Sequence, residues 1–304
     1  FYQTRGQQSC GTRGAAEKLA YLRRFRLEND PDRVLFVIDE RNGFNCITRK
    51  AIKAGLERLP SHLQWLRQAF IRFYRGVSKL LYARDQLGDM FADCSRGVHQ
   101  GDGAGMIYFS AGMDAALTQL RQEFPQANIQ AYADHVVGDV KGDDRTMPTA
   151  SLPAMPGCKL GKDGSMPTAV AIIQRWKQLV GDMAGLEVRT DKCHATSIRG
   201  DLNQAEYGLI ETAPGLMMMG VPMGRPEWEE EKCRHIASKV TDVYNNARRV
   251  STQQAAQLLS VYCGGVPCVN HILRATMTDT TAGACEVVDE ATRASLHAQL
   301  CANR

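Results

Sequence analysis

The sequence has ten cysteines but contains no C-x-x-C pair, and no grouping of cysteine and histidine has the spacing of a zinc site. It also lacks a signal peptide, an internal repeat and any apolar run long enough to cross a bilayer. Scattered cysteines of this kind are typical of small buried side chains in a reducing compartment, so we expect an intracellular protein. These absences argue against a zinc domain, a disulfide-rich secreted domain and a membrane protein.

The composition is that of an ordinary globular protein. The chain has 304 residues, of which 44% are apolar and 23% are charged, and its formal net charge is +4. This length can bury a substantial core in one large domain or two smaller ones. Arginines are frequent in the N-terminal quarter; we expect most of them on solvated helix faces and the rest in contact with phosphates. The chain begins at Phe1 rather than at methionine, so we expect a preceding segment to be missing.

Hydrophobic periodicity predicts an α+β fold. Helices are predicted over residues 14–30, 47–58, 61–77, 104–124 and 169–185, and again throughout the region after residue 226. Strands are predicted over 33–39, in the paired segments SKLLYAR and MFADCSRG, in a hairpin over 128–140, and over 186–198 and 215–224. Residues 141–168 are rich in Pro, Gly and Ser and lack periodicity, which indicates a surface loop.

Two acids lie where predicted strands end. Asp39 closes the apolar run RVLFVID, and Asp134 lies at the turn of the predicted hairpin, in AYADHVVGD. Two carboxylates at one edge of an antiparallel sheet can hold a pair of divalent cations for phosphoryl transfer, in which one ion activates the attacking hydroxyl. Solvated acids at strand ends are also common, and spacing alone does not separate the two interpretations.

Further segments accompany these acids in one order: FVIDERNGFN (36–45), RGVHQGDGAG (96–105), YADH (132–135), GLEVRTDKC (185–193) and GLMMMGVPMG (215–224). In this order they resemble reverse transcriptases, particularly those of retroelements without long terminal repeats. That family has a D-x-x-N-A-F-N segment, a G-V-x-Q-G-D-P-L segment that opens a helix, a Y-A-D-D hairpin, a G-L-x-x-N-x-x-K strand and an L-G-x-P-x-G turn. Segments 3–25 and 258–275 also resemble the family, so the resemblance covers nearly the whole chain.

The resemblance implies the architecture of a right-hand polymerase. Its palm is an antiparallel sheet backed by helices, with partial fingers before it and a helical thumb after it. The corresponding segments are residues 1–32 for the fingers and the helix that leads into the palm, 33–225 for the palm, with 141–168 as a surface-loop insertion, and 226–304 for the thumb.

The resemblance also implies roles for single residues. Asp39 and Asp134 would hold two Mg²⁺ or Mn²⁺ ions, and the main-chain carbonyl of Glu40 would complete one of the two sites. Phe44 would lie under the incoming sugar, where a ring excludes a 2′-hydroxyl and so favours deoxynucleotides. Plain core packing is the alternative for Phe44.

Three further positions follow from the resemblance. Gln100, with Gly101 beside it, would contact the incoming nucleotide and the template. Lys192 would approach the pyrophosphate leaving group, where a cation offsets developing charge. The segment 217–220 would grip the primer end. The alternatives are a polar residue at a helix N-terminus for Gln100, a surface lysine for Lys192 and a buried methionine-rich strand for 217–220.

The sequence departs from the family's pattern at three points. His135 stands where the family has a second aspartate; imidazole is a poor ligand for Mg²⁺ and accepts Mn²⁺ more readily, and a polar turn residue that binds no metal is the alternative. The segment GDGAGM lacks the family's prolines at the helix entry. The basic fingertip residues of the family would lie upstream of Phe1.

The resemblance therefore implies an RNA-directed DNA polymerase that uses an RNA template, a DNA primer and deoxynucleotides. The alternative is a catalytically silent, domesticated relative that binds RNA or serves as a structural subunit of a larger complex, and the departures from the pattern favour it. An RNA-templated RNA polymerase of related palm fold is disfavoured by Phe44.

Overall fold

The chain forms two compact units in its computed structural model, which describes residues 5–7, 14–82, 90–99, 101–148, 155–247, 249–250, 253–262 and 266–301. The first unit contains residues 1–15, 34–195 and 203–212, and the second contains residues 16–33, 196–202 and 213–304. The N-terminal helix thus belongs to the same unit as the C-terminal helices. The subdomain boundaries predicted at residues 32 and 225 stay predictions.

The secondary structure alternates between helices and short strands. The N-terminal part contains α1 (Ala15–Asn29), β1 (Val34–Asp39), α2 (Gly43–Cys46), α3 (Arg49–Glu57), α4 (Gln64–Phe73), β2 (Ser78–Tyr82), β3 (Met90–Cys94), α5 (Gly105–Glu123), β4 (Asn128–Tyr132) and β5 (His135–Val140). The C-terminal part contains β6 (Thr146–Pro148), β7 (Ser165–Pro167), α6 (Thr168–Ala184), β8 (His194–Thr196), α7 (Gln204–Tyr207), β9 (Glu211–Thr212), β10 (Gly215–Met218), β11 (Val221–Gly224), α8 (Pro226–Ala247), α9 (Gln253–Tyr262), α10 (Val266–Ala275) and α11 (Thr278–Cys301).

A five-stranded sheet organises the first unit, in the order β4-β5-β1-β8-β9. β4 and β5 form an antiparallel hairpin, β5 pairs antiparallel with β1, and β8 runs parallel to β9. The central strand β1 is a run of apolar residues that is buried up to its last residue, as expected for a strand covered on both faces. The predicted α+β fold is confirmed.

Helices cover this sheet. α5 packs against β4, and α6 packs against β1 and β5. α3 crosses α5 so closely that a Cβ atom at Gly55 would lie 1.8 Å from the main-chain oxygen of Ala111. The crossing therefore requires glycine at position 55, because any larger residue would push the two backbones apart. Phe109 of α5 and Trp176 of α6 are fully buried between these layers.

In the second unit, α8 and α11 pack along each other, with α10 beside them. Their shared core contains Cys233, Ala237, Val240, Tyr244, Val269, Ile272, Ala284 and Val288. The guanidinium of Arg24 in α1 is buried and donates hydrogen bonds to the carboxylate of Glu229 (2.6 Å) and to the main-chain oxygen of Pro222 (3.0 Å). One charged side chain thus joins α1, α8 and β11.

The structure corrects three details of the predicted secondary structure. The predicted strand over 186–198 is wrong in its middle, because Thr190–Lys192 form a 3₁₀ turn and only β8 follows it as a strand. The helix predicted over 61–77 ends at Phe73 and begins with a 3₁₀ turn, Ser61–Leu63. The segment 141–168 carries the short antiparallel pair of β6 and β7, whose three-residue strands are too short to show periodicity.

Two further features bear on the class of protein. None of the helices in the described part of the chain has the length and apolar character needed to cross a lipid bilayer. The cysteines at positions 46, 94, 158, 193, 233, 285 and 301 are free thiols.

Candidate active site

Asp39 and Asp134 lie at the same edge of the sheet. Asp39 is the last residue of β1, and Asp134 lies in the turn between β4 and β5. The β1–β5 register pairs Asp39 with His135, the residue that follows Asp134. Both carboxylates interact electrostatically with the same two side chains, Glu40 and His135. The structure thus brings the two acids to one locality; their role as metal ligands stays a prediction.

The turn that carries Asp134 is held by a residue that the sequence analysis missed. The buried side-chain amide of Gln7 accepts a hydrogen bond from the main-chain N–H of Ala133 (3.1 Å) and donates one to its carbonyl oxygen (3.3 Å). Ala133 has a left-handed backbone with φ 55°, which costs an L-residue about 1–2 kcal/mol and so needs support. On the other side, a Cβ atom at Gly43 would lie 3.1 Å from the Cβ of Asp134. The turn is therefore fixed from both sides.

The side chain of Glu40 is buried, with only 3% of its surface exposed. One carboxyl oxygen accepts a hydrogen bond from the indole N–H of Trp176 (2.7 Å), and the other has no hydrogen-bond partner among the described residues. Burial raises the pKa of this carboxyl well above its usual range, and the charges of Asp134 and Asp39 raise it further, against the opposing effect of the Trp176 bond. Burial thus disfavours a third negative charge beside the two aspartates.

The direction of the main-chain N–H and C=O groups of Glu40 follows from the hydrogen bonds of its two neighbours, Asp39 and Arg41. The N–H of Arg189 donates to the carbonyl of Asp39 (2.9 Å), and the N–H of Arg41 donates to the carbonyl of Glu187 (2.8 Å). Because successive residues of a strand turn their N–H and C=O groups to opposite sides, those of Glu40 face the side of β5. The role of the Glu40 carbonyl as a metal ligand stays a prediction.

His135 contacts its neighbour Asp134 directly. Its Nδ1 lies 3.2 Å from Oδ1 of Asp134. This hydrogen bond raises the pKa of the His135 imidazole, partly offset by burial, and the charges of Asp134 and Asp39 raise it further. The two aspartates therefore shift the imidazole towards its protonated form, at the position where the family's pattern has a second carboxylate.

Phe44 lies in α2, next to the turn that carries Asp134. Its ring stacks on the fully buried ring of Phe109, with the centroids 4.5 Å apart and an angle of 17° between the planes. Phe44 itself is half-buried. One face of the ring is therefore supported by the core, and part of the side chain is accessible. This placement is compatible with the predicted wall under a sugar and also with core packing.

The entry to α5 is fixed without proline. The carboxylate of Asp102 accepts hydrogen bonds from the hydroxyl of Tyr74 (2.5 Å) and from the main-chain N–H of Ala104 (2.9 Å). Burial and the hydrogen bond to Asp102 raise the pKa of Tyr74 to about 12. Gly101 is exposed, with φ 91° and open space around it. Gln100 lies outside the described residues.

Lys192 lies on the segment that borders β1. It is exposed at the end of the 3₁₀ turn Thr190–Lys192. The same segment carries a second cation, Arg189. It forms an ion pair with Asp191 (2.5 Å) and interacts electrostatically with Asp39. Arg189 was not predicted as a site residue, although it stands in the same GLEVRTDKC segment as Lys192. The role of Lys192 at a leaving group stays a prediction.

The segment 217–220 forms the turn of the β10–β11 hairpin in the second unit. Met218 is buried and Met217 is 43% exposed, so the strand is not uniformly buried. Met219 and Gly220 both have positive φ angles, 51° and 79°, and the carbonyl oxygen of Met219 lies 2.6 Å from Nε2 of His271. The turn is thus hydrogen-bonded to α10. Its contact with a primer stays a prediction.

The donor atoms at the sheet edge suit a hard divalent cation. Asp39 and Asp134 supply carboxylate oxygens and Glu40 supplies a main-chain oxygen, which are the ligands that Mg²⁺ prefers. Within the described ranges, no three side chains of His, Cys, Asp or Glu are grouped so that they could hold a metal ion. A cation at this edge would therefore complete its coordination with water and substrate phosphates, as Mg²⁺ does in other phosphoryl-transfer sites.

Comparison with known proteins relates part of the chain to a retrotransposon protein. No protein-family model matches the sequence. A stretch of 109 residues, 34% of the chain, is 35% identical to the retrotransposable element SLACS 132 kDa protein of Trypanosoma brucei gambiense, and it covers 8% of that protein. The chain thus spans a small fraction of the length of this relative.

Solved structures of telomerase also resemble the chain. Apo telomerase from Candida tropicalis aligns over 97% of this chain and 47% of its own, with a TM-score of 0.46 and 9% identity. Telomerase from Candida albicans, in complex with a fragment of telomeric RNA, aligns over 97% of this chain and 54% of its own, with a TM-score of 0.42 and 10% identity. Sequence similarity to a retrotransposon protein is established for the 109-residue stretch alone.

Proposed function

We propose that this chain is a reverse-transcriptase-like domain that carries out RNA-directed DNA synthesis. The observation that carries the proposal is the position of Asp39 and Asp134 at one edge of the sheet, where β1, β4 and β5 are antiparallel, on two of the segments where the sequence resembles the family. Similarity of 109 residues to a protein of a retrotransposable element supports it independently. The proposed substrates are an RNA template, a DNA primer and deoxynucleotides.

In the proposed mechanism, Asp39, Asp134 and the carbonyl of Glu40 hold divalent cations, Mg²⁺ or Mn²⁺. Bound there, such cations supply activation of the primer 3′-hydroxyl and stabilisation of the in-line transition state. The side chain of Glu40 is bonded to Trp176, and its burial favours the uncharged carboxyl beside the two aspartates. The fixed turn around Asp134 holds its carboxylate in one position relative to Asp39.

The remaining residues act on the nucleotide. The supported ring of Phe44 lies under the sugar and excludes a 2′-hydroxyl. Lys192 offsets the charge that develops on the leaving pyrophosphate. Gln100 and Gly101 lie beside the incoming nucleotide and the template at the entry to α5.

A second function is favoured by one specific observation. The imidazole of His135 is hydrogen-bonded to one carboxylate oxygen of Asp134, and this contact raises the pKa of the imidazole. A cation at that position competes with a metal ion for the same carboxylate. The second candidate is therefore a catalytically silent relative that binds RNA or serves as a structural subunit of a larger complex.

Primer extension on an RNA template, with Mg²⁺ or with Mn²⁺, separates the two candidates. The proposal expects metal-dependent extension by the unaltered chain and a loss of about a hundredfold or more in Asp39→Asn. Asp242→Asn, which changes an exposed aspartate of α8, is the matched control and should extend normally. RNA binding without extension in any variant would establish the silent candidate instead. Extension that survives in Asp39→Asn would refute the two-aspartate mechanism.

A further inference from the structure

Helix α4 buries one face and exposes two large aromatic rings on the other. On the inner face, the ring of Phe70 lies 5.0 Å from the rings of both Tyr74 and Tyr108. On the outer face, Trp65 is 62% exposed and Phe73 is 74% exposed. The inner contacts fix the rotation of the helix, so the outward orientation of Trp65 and Phe73 is imposed by the packing of the fold.

This outer face is also positively charged. Arg72 lies seven residues after Trp65, which places both on the same side of the helix, and Arg75 follows the end of α4. From residue 58 to residue 82 the sequence contains no aspartate or glutamate. Among the described residues, Arg72 and Arg75 have no ion pair. We call Trp65, Arg72, Phe73 and Arg75 the α4 surface.

The α4 surface has a rigid base. Arg49 donates hydrogen bonds to the main-chain oxygens of Gly76, just beyond α4, and of Cys94 (3.0 Å). Tyr74, the residue after α4, donates its hydroxyl hydrogen to Asp102 at the entry to α5. The end of the helix is thus joined to the segment that is proposed to lie beside the template.

We propose that the α4 surface binds single-stranded RNA. Unpaired bases offer flat apolar faces that stack on exposed aromatic rings, and the backbone offers phosphates to arginine. Trp65 and Phe73 are eight residues apart, or about 12 Å along the helix axis, so the two rings take two different bases. Arg72 and Arg75 contact the phosphates near the second base. The absence of acids from residues 58–82 fits a polyanion and not a basic partner.

The choice of RNA over single-stranded DNA rests on the proposed function, in which the template is RNA. Binding at the α4 surface does not require catalysis. It is therefore measured separately from extension, on the same set of variants.

The test is the affinity of the whole chain for a fluorescent, unstructured RNA of about 12 nucleotides, measured by anisotropy. Trp65→Ala and Phe73→Ala should each weaken binding about tenfold, and Trp65→Phe should retain most of the affinity because the smaller ring still stacks. Phe25→Ala is the matched control, since Phe25 is 65% exposed on α1. It should bind as the unaltered chain does.

Salt dependence tests the arginines. Replacing both Arg72 and Arg75 by glutamine should lower the slope of log affinity against log salt by about 1.4, which corresponds to two phosphate contacts on a single strand. Arg234→Gln is the control, because Arg234 is exposed on α8 and paired with Glu230. It should leave the slope unchanged.

Three results would overturn the inference. The first is that Trp65→Ala and Phe73→Ala bind RNA as tightly as the unaltered chain does. The second is that Phe25→Ala loses as much affinity as these two variants, and the third is that single-stranded DNA of the same sequence binds more tightly than the RNA. Asp39→Asn separates this inference from the proposed function. If Asp39→Asn keeps its RNA affinity and loses only extension, RNA binding does not depend on the catalytic aspartate. The affinity of the Trp65 and Phe73 variants then tests the α4 surface, and extension tests the polymerase proposal.

Discussion

Asp39 faces His135 directly across the β1–β5 ladder. The imidazole of His135 contacts Asp134, so a group biased towards a positive charge lies beside both acids of the site. In the family's pattern the same position carries a carboxylate. Under the proposed function, the balance of charge at this sheet edge separates an active polymerase from a silent relative.

Changing His135 to aspartate should strengthen the site for metal ions. His135→Asp removes the imidazole and adds a carboxylate opposite Asp39, and we expect Mg²⁺-dependent extension to rise about tenfold or more. The measurement is the initial rate of primer extension as a function of Mg²⁺ concentration. His135→Asn is the control, because it removes the cation without adding a charge, and its rate should lie between the two. A lower rate in His135→Asp would mean that the histidine is an adaptation of this chain.

Removing the side-chain amide of Gln7 should impair the site without unfolding the chain. Gln7 holds both main-chain groups of Ala133, whose left-handed backbone sets the position of Asp134. In Gln7→Ala two buried groups lose their partner, and we expect a destabilisation of about 1–3 kcal/mol and a fall in extension of about tenfold.

Thermal unfolding and extension on the same preparation separate the two effects of Gln7→Ala. Gln64→Ala is a suitable control, since the Gln64 amide also donates to main-chain oxygens but lies at the start of α4. It should lower stability and leave the extension rate per folded molecule unchanged. Equal extension rates for Gln7→Ala and the unaltered chain would remove Gln7 from the site.

The sequence was sufficient for the features that depend on local pattern. The apolar run that ends at Asp39 and the hairpin around Asp134 were predicted, because strand periodicity and turn residues are read within a few positions. The contacts of Gln7 with Ala133 and of Glu40 with Trp176 join residues more than 100 positions apart. No local pattern encodes such pairs, so they required the structure.

The prediction of a continuous strand over 186–198 was wrong because a short polar turn interrupts it. Val188 and Thr190 suggest a strand, but the N–H of Lys192 donates to the carbonyl of Arg189 and closes a turn there. The pairing of Arg189 with Asp191 supports this turn. A short polar turn between two apolar positions has no distinctive pattern of hydrophobicity.

A methyl group at position 55 should destabilise the first unit. In Gly55→Ala the new Cβ would overlap the main-chain oxygen of Ala111, and the helices α3 and α5 must separate to relieve it. We expect a loss of about 1–3 kcal/mol in the free energy of unfolding, measured by denaturant titration. Gly181→Ala is the matched control, because Gly181 is also inside a helix but a Cβ there would meet nothing outside that helix closer than the main-chain oxygen of Leu186, at 3.8 Å. That variant should be more stable by about 0.5–1 kcal/mol.

The ion pair between Glu123 of α5 and Arg175 of α6 should make stability depend on pH. The guanidinium donates two hydrogen bonds to the carboxylate, at 2.7 and 2.8 Å. The hydrogen bond from Arg175 lowers the pKa of Glu123 below its usual value; burial opposes this shift, and the hydrogen bond from Gln119 adds to it. Since the folded pKa is the lower one, the contribution to stability is present above the unfolded pKa and is lost as the pH falls through the folded pKa.

Glu123→Gln should therefore reduce the free energy of unfolding at neutral pH, by less than about 1 kcal/mol because the pair is partly exposed to solvent. The difference from the unaltered chain should shrink as the pH is lowered and vanish once Glu123 is protonated in both states. Denaturant titrations between neutral and acidic pH measure it. Glu231→Gln, at an exposed carboxylate of α8 that has no ion pair among the described residues, should show no such dependence. A difference that persists unchanged into acid would show that Glu123 does not stabilise the fold through its charge.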